Sequence, residues 1–301
     1  MGLNVSSNLL EKLYDSLVVP ISLYCCEVWG NDSMSRDNDS NPFELLHSKF
    51  IKEILGVHCK TSNVACRAEL NRLPLSRNIM TQSIKFLNHL IELNDSLAHK
   101  ILVDTWDYNP WCMNVKCCLE NLGFSALTEL LPHNSLKPFN TMISQRINDQ
   151  VLQHQNSKIL VSNKLAFFRS VYKMNSRPHY VDILTYRQDR AALAKLRLSS
   201  HNLEIERGRH FGVEHNNRIC KYCDSNNVEN ETHFLWNCKC YEQERESLYN
   251  KLSSIHKFNY KLVNDVNTRS KLLLNSNSYN ILKCLSKYIE ELSNKRNSLG
   301  L

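Results

Sequence analysis

The chain has 301 residues, 37 Lys+Arg against 30 Asp+Glu, twelve cysteines, seven prolines and only seven glycines. This length accommodates one large domain or two to three smaller ones, and a 42% hydrophobic, 22% charged composition describes a folded, soluble chain rather than a disordered one. None of the glycines falls in a GxGxxG or GxxxxGK pattern, which excludes Rossmann and P-loop phosphate cradles, and the scarcity of Gly and Pro favours a mainly helical fold.

The first helical stretch runs from about Ser7 to Trp29, with Leu9, Leu10, Leu13, Tyr14, Leu17 and Val18 at helical spacing and Pro20 expected to kink or end it. The polar run 30–41 (GNDSMSRDNDSN) reads as a loop. Pro42 opens a second helix that sets Phe43, Leu46, Phe50, Ile51 and Ile54 on one face and stops at Gly56. Thr61 or Ser62 caps a third over Val64–Leu73, and a fourth spans about Ser76 to Leu93 with Ile79, Met80, Ile84, Leu87 and Ile91 inward. Short helical pieces follow near 95–106, 110–122 and 124–131, whereas 132–157 has no clear pattern. A helix from Asn163 to Met174 buries Leu165, Phe168, Val171 and Tyr172, and another covers about Val181–His201. Ile281, Leu282, Leu285, Tyr288, Ile289 and Leu292 mark an amphipathic C-terminal helix. The expected organisation is therefore a helical bundle over 1–135, a basic helical segment over 136–210, a metal-binding segment over 211–241 and a helical tail over 242–301.

The positive charge is concentrated. Residues 158–222 hold 13 basic against 5 acidic side chains, while residues 1–157 hold 13 against 16. A local surplus of this kind suits a polyanion. At about 100° per residue, Arg187, Arg190, Arg197 and His201 fall within an arc of about 80° on one helix, a geometry that tracks successive phosphates. Arg207 and Arg209 extend the set. The alternative is ion pairing with Asp182, Asp189, Glu204 or Glu206.

The strongest chemical signal is RICKYCDSNNVENETHFLWNCKCY, a C-x2-C-x9-H-x4-C pattern built from Cys220, Cys223, His233 and Cys238. Three thiolates and an imidazole suit one structural Zn²⁺, because four protein ligands leave no open position for a reacting water. Cys240, and more weakly His215, are alternative ligands, and a set of buried thiols is the plain alternative to a metal. Tyr222, Phe234 and Trp236 interleave the ligands, where they could cover the metal or stack on bases. The remaining cysteines, including the vicinal pairs Cys25–Cys26 and Cys117–Cys118, read as small core residues. No HExxH, GxSxG or zinc-deaminase pattern occurs, and there is no Asp-Asp pair for a two-metal polymerase site, so no catalytic residue is nominated. No apolar run is long enough to span a membrane and no signal-peptide order is present, so an intracellular setting is expected, nucleus or cytoplasm undetermined.

These residues resemble a known family. LLEKLYDSLVVPISLYCCEVWG (9–30) and FELLHSKFIKEILGVHCKTSNVACRAELNRLPL (43–75) are similar to the region following the palm in reverse transcriptases of non-LTR (LINE-type) retrotransposons. KLRLSSHNLEIERGRH (195–210), leading into the cysteine–histidine stretch, resembles that family's C-terminal segment. The resemblance covers about residues 7–250 and is most specific at Tyr24–Trp29 and from Arg197 to Cys238. It implies a helical thumb that grips a template–primer duplex, followed by a zinc-knuckle-like module. Cys220, Cys223, His233 and Cys238 match the knuckle ligands, and Arg197, His201, Glu204, Arg207 and Arg209 match the block before it. The family's polymerase carboxylates and endonuclease have no counterpart here, so the chain resembles a partial element product beginning at the thumb. The expected function is non-catalytic binding of nucleic acid, RNA or a template–primer duplex. The alternatives are a zinc-stabilised protein-interaction module and an accessory subunit acting with a polymerase in trans.

Overall fold

The computed structural model describes residues 5–30, 41–255 and 263–299. Among these residues it is mainly α, with seventeen α-helices, short 3-10 and π turns, and one isolated β-bridge. No helix in the described residues is long and apolar enough to cross a membrane. Most of the polar run expected as a loop after Gly30 lies outside the described residues.

The chain divides into two compact units that interleave in sequence. One comprises residues 1–12, 49–71 and 159–301; the other comprises 13–48 and 72–158. The segment expected as basic over 136–210 is thus split, with 136–158 in the second unit, while 159–210, the cysteine–histidine segment and the C-terminal tail lie together in the first.

The second unit is organised by the Ser76–Glu92 helix, whose Ile79, Met80, Ile84, Leu87 and Ile91 are all buried as their spacing predicts. They pack with Leu102, Trp106, Val115 and Leu119 from the helices Leu97–Thr105 and Pro110–Asn121 and the turn between them. Ser96 and Asn109 cap those two helices, each accepting a backbone N–H with its side-chain oxygen. Glu44 caps the Ser76–Glu92 helix from a distance, its carboxylate accepting the Ser76 N–H at 2.9 Å. The stretch 132–157 is not a structureless connection. It belongs largely to the longest helix, Asn140–Val161, which seats Ile143, Ile147 and Val151 in the same core. Its other positions are so polar that only the i, i+4 recurrence of those three residues marks the buried side.

The first unit is built around the C-terminal helix Tyr279–Ser298, and all six of its expected apolar positions are buried. Around it lie the helices His179–Ile183, Arg187–Arg197, Glu242–Ile255 and Val266–Leu274. The helix expected over Val181–His201 is two, His179–Ile183 and Arg187–Arg197. The Pro42–Leu55 helix ends where the sequence places its stop, at Gly56 with φ +65°. A Cβ at Gly56 would lie 2.6 Å from the Ala191 Cβ, so the position needs both a left-handed backbone and an absent side chain. Gly56→Ala is expected to destabilise the fold by about 1–3 kcal/mol, read from the shift in denaturation midpoint. An unchanged midpoint would show that the two helices separate at no cost.

The N-terminal helix corrects its own pattern. Ser7 and Glu11 are buried, whereas Leu9, Leu13 and Leu17 are exposed. Within the first unit, the Ser7 hydroxyl donates to the Val181 carbonyl at 2.7 Å, and Glu11 receives the Arg177 guanidinium at 2.6 Å. Polar partners far along the chain therefore select the inward face. Ahead of Pro20 the backbone widens into a π turn over Tyr14–Val18, in which the Val19 N–H bonds to the Tyr14 carbonyl. The Pro42–Leu55 helix shows the same offset: His47 and Glu44 are buried and Leu46 is exposed. None of the twelve cysteines is in a disulfide among the described residues; Cys25, Cys59 and Cys117 are exposed rather than core residues, whereas buried Cys66 has its thiol pushed up to about 12 by desolvation.

Candidate metal centre and the adjoining groove

The four nominated ligands converge. One ligand atom from each of Cys220, Cys223, His233 and Cys238 lies within 4.8 Å of every other, a set that could hold a metal ion. Cys240 and His215, the alternative ligands, are outside it.

Local sequence accounts for the convergence. Residues 218–229 fold back as a short antiparallel ribbon, with Ile219 bridged to Val228, the Cys220 N–H on the Asn227 carbonyl at 2.9 Å and the Glu229 N–H on the Arg218 carbonyl at 2.9 Å. The reversal is made at Asn226, φ +52°, a left-handed conformation that asparagine tolerates. The Asn230 side chain then accepts the His233 N–H at 2.8 Å and starts a single π turn, His233–Asn237. That turn closes with the Cys238 N–H on the His233 carbonyl at 2.8 Å. In an α-helix, residues five apart would diverge by about 140°. The i→i+5 closure brings His233 and Cys238 back to one side, which is what an H-x4-C spacing needs to chelate.

The ligand atoms already interact. Cys220 and Cys238 sulfurs are 4.0 Å apart, and the Cys223 sulfur is 3.4 Å from His233 Nε2. Hydrogen bonding with Cys238 holds the Cys220 thiol far below its ordinary value and pushes Cys238 above its own. Burial opposes charge on His233, but its contact with Cys220 leaves it raised. Cys220, His233 and Cys238 are buried, and Cys223 is half-buried.

The residues between the ligands anchor the centre in the core. Phe234 stacks edge-on with Tyr241, the Trp236 indole N–H donates to Ser270 Oγ at 2.7 Å, and the Tyr288 hydroxyl donates to the Leu235 carbonyl. Phe234 and Trp236 are buried, so neither is available to stack on a base. Tyr222 sits beneath the Arg296 guanidinium at 5.1 Å.

Beside this centre, wholly within the first unit, is a groove of about 1470 Å³. Six Lys and Arg side chains line it (Lys60, Lys164, Arg187, Lys195, Arg207 and Arg296) against two carboxylates, Glu206 and Glu290. Two carboxylates of the segment leading to His233 hold residues of its wall. Glu229 makes a two-point bridge to Arg296 at 2.8 and 2.9 Å and accepts the Glu204 N–H at 2.7 Å. Glu231 accepts the Ser199 hydroxyl at 2.9 Å and lies 3.1 Å from His201 Nε2. Burial works against the Glu231 carboxylate, yet these hydrogen bonds keep it below its ordinary value.

Of the six residues nominated for nucleic acid, Arg187, His201 and Arg207 line the groove, and Arg209, paired with Glu206 at 2.7 Å, does not. Arg190 and Arg197 are corrected outright: they are 2% and 1% exposed and cannot reach a phosphate. Arg190 donates to the Leu184 and Thr185 carbonyls at 2.8 Å, satisfying the end of the His179–Ile183 helix. Arg197 pairs with Glu69 at 2.5 Å. The outward face of this helix is instead Arg187, Gln188, Ala191, Ala192 and Lys195. Lys60, Lys164 and Lys195 were not nominated. The signal for Lys195 was present, since Arg190, Leu193, Ala194 and Arg197 follow i, i+3, i+4, i+7 and so share one buried stripe.

No protein-family model, curated protein or solved structure matches the chain.

Proposed function

We propose that this chain is a non-catalytic nucleic-acid-binding protein, corresponding to the thumb and cysteine–histidine part of a non-LTR retrotransposon reverse transcriptase, with one structural Zn²⁺ at Cys220, Cys223, His233 and Cys238. The observation that carries the binding reading is the groove, where basic side chains, drawn from four separate chain segments, outnumber acidic ones six to two. Lys60 and Lys195 are exposed there and form no ion pair among the described residues, so both charges are available to phosphates. Arg187 pairs with exposed Glu53 at 2.7 Å, a solvent-screened contact that a phosphate can displace.

The assignment of zinc rests on donor chemistry and spacing. Zinc–sulfur bonds of about 2.3 Å and zinc–nitrogen bonds of about 2.0 Å give tetrahedral edges of roughly 3.8 Å between sulfurs and roughly 3.5 Å from sulfur to nitrogen. The 4.0 Å and 3.4 Å separations bracket those values. A bound ion would tie the ribbon to the π turn and offer no open position for chemistry.

Affinity from phosphate contacts depends on salt. Replacing Lys60 and Lys195 together by alanine is expected to make the slope of log K against log salt shallower by about 1.4–1.8. Fluorescence anisotropy with a labelled oligonucleotide over a salt series measures it. An unchanged slope in a folded double variant would remove the groove as the binding surface.

A further inference from the structure

We propose that the groove takes nucleic acid as a single strand and stacks a base on Phe211; this rests on the nucleic-acid reading above and adds the form of the ligand. Phe211 lies at the end of the Glu204–His210 helix, where Gly212 at φ +68° turns the chain away. It lines the groove, is 77% exposed and packs against no other ring among the described residues. Keeping a phenyl ring in water forgoes the stabilisation of burying it, and nothing in the fold recovers that cost. Tyr186, elsewhere on the same wall, is 50% exposed.

The chemistry around these rings is that of a base site as well as a phosphate site. Ser200, Asn202, Asn294 and Asn297 line the same groove with neutral donors and acceptors, which match base edges and sugars better than phosphates. Lys195 and Arg207 supply the charges. A duplex keeps its base faces stacked inside and presents phosphates and groove edges, so an exposed phenyl in a concave wall gains little from it. An unstacked strand offers both a π face for the ring and a backbone for the cations, the combination by which single strands are held without base-specific readout.

The test compares a single-stranded oligouridylate of about 12 nucleotides with a blunt RNA duplex of about the same length, by anisotropy at one salt concentration. The single strand should bind at least about 10-fold tighter. Phe211→Ala should weaken it by about 5- to 100-fold without changing the salt slope, since no charge is lost. Phe211→Trp should retain binding and show indole fluorescence quenched by the oligonucleotide beyond any quenching of the native tryptophans. Because Phe211 is exposed, circular dichroism of both variants should match the parent. Equal affinity for duplex and single strand, or full affinity in a folded Phe211→Ala protein, would overturn the inference and leave the groove as a nucleic-acid site. Failure of the parent protein to bind either probe would overturn the underlying reading together with it.

Discussion

Arg197→Ala is expected to lower the unfolding free energy by about 3–5 kcal/mol, because it leaves a buried carboxylate without its counter-charge. Arg197 and Glu69 are both fully enclosed, with the guanidinium Nε 2.5 Å from the carboxylate. The Tyr180 hydroxyl donates to the same carboxylate at 2.7 Å, and the Arg197 guanidinium lies 5.6 Å from the Tyr180 ring. Burial lowers the tendency of Arg197 to carry charge, and Glu69 more than offsets it, leaving the guanidinium raised above its ordinary value. Removing both partners, as in Arg197→Met with Glu69→Leu, should recover much of the loss, since an apolar pair has no desolvation to repay. Urea denaturation of the parent, the single variant and the double variant measures this directly. The salt slope of oligonucleotide binding should be the same in the parent and the double variant. A phosphate-contacting Arg197 would give the opposite pattern, with little change in stability and a shallower slope.

Loss of the metal should have the second large effect. One zinc ion per chain is expected by elemental analysis of purified protein, and none after Cys220→Ser with Cys223→Ser; Cys240→Ser should keep it. At a free metal concentration a thousand times its dissociation constant, a site confined to the native state adds about 4 kcal/mol of stability. Metal-free protein should therefore unfold at markedly lower denaturant. The damage should reach the groove, because Glu229 and Glu231, which hold Arg296, Ser199 and His201, lie two to four residues before His233. Oligonucleotide affinity should fall on chelation and return on adding zinc, with proteolytic cleavage newly appearing in residues 213–228. Buried Phe234, Leu235 and Trp236 should keep the following π turn attached to the core, so unfolding should be local first. Equal metal content and equal stability in parent and double-serine protein would eliminate the centre.

The C-x2-C-x9-H-x4-C ligand set is legible because chelation depends on short-range spacing: a ribbon of a dozen residues and one π turn bring all four groups together. The C-terminal helix and the Ser76–Glu92 helix are legible for a related reason. Their apolar residues recur at the helical period in an unbroken stripe, and buried polar residues such as Ser83 and Asn88 on one, Ser286 and Arg296 on the other, leave that stripe intact. Gly56 announces its helix end because glycine adopts that left-handed backbone with the least strain.

Where charged residues enter the pattern, periodicity identifies which side chains share a face and not which way the face turns. Arg190 and Arg197 share a stripe with Leu193, and that stripe points inward because Glu69, 128 residues earlier, waits to neutralise Arg197. Ser7 and Glu11 go inward for the same reason, meeting Val181 and Arg177 more than 160 residues later. The groove is the extreme case, since its cations come from segments near 60, 164, 187–207 and 296. The sequence alone determined a mainly helical chain with a basic middle and a four-residue cysteine–histidine cluster that could hold a metal ion. Tertiary structure decided which of those basic residues face solvent, because the cost of burying a charge is set by partners that only folding brings within hydrogen-bonding distance.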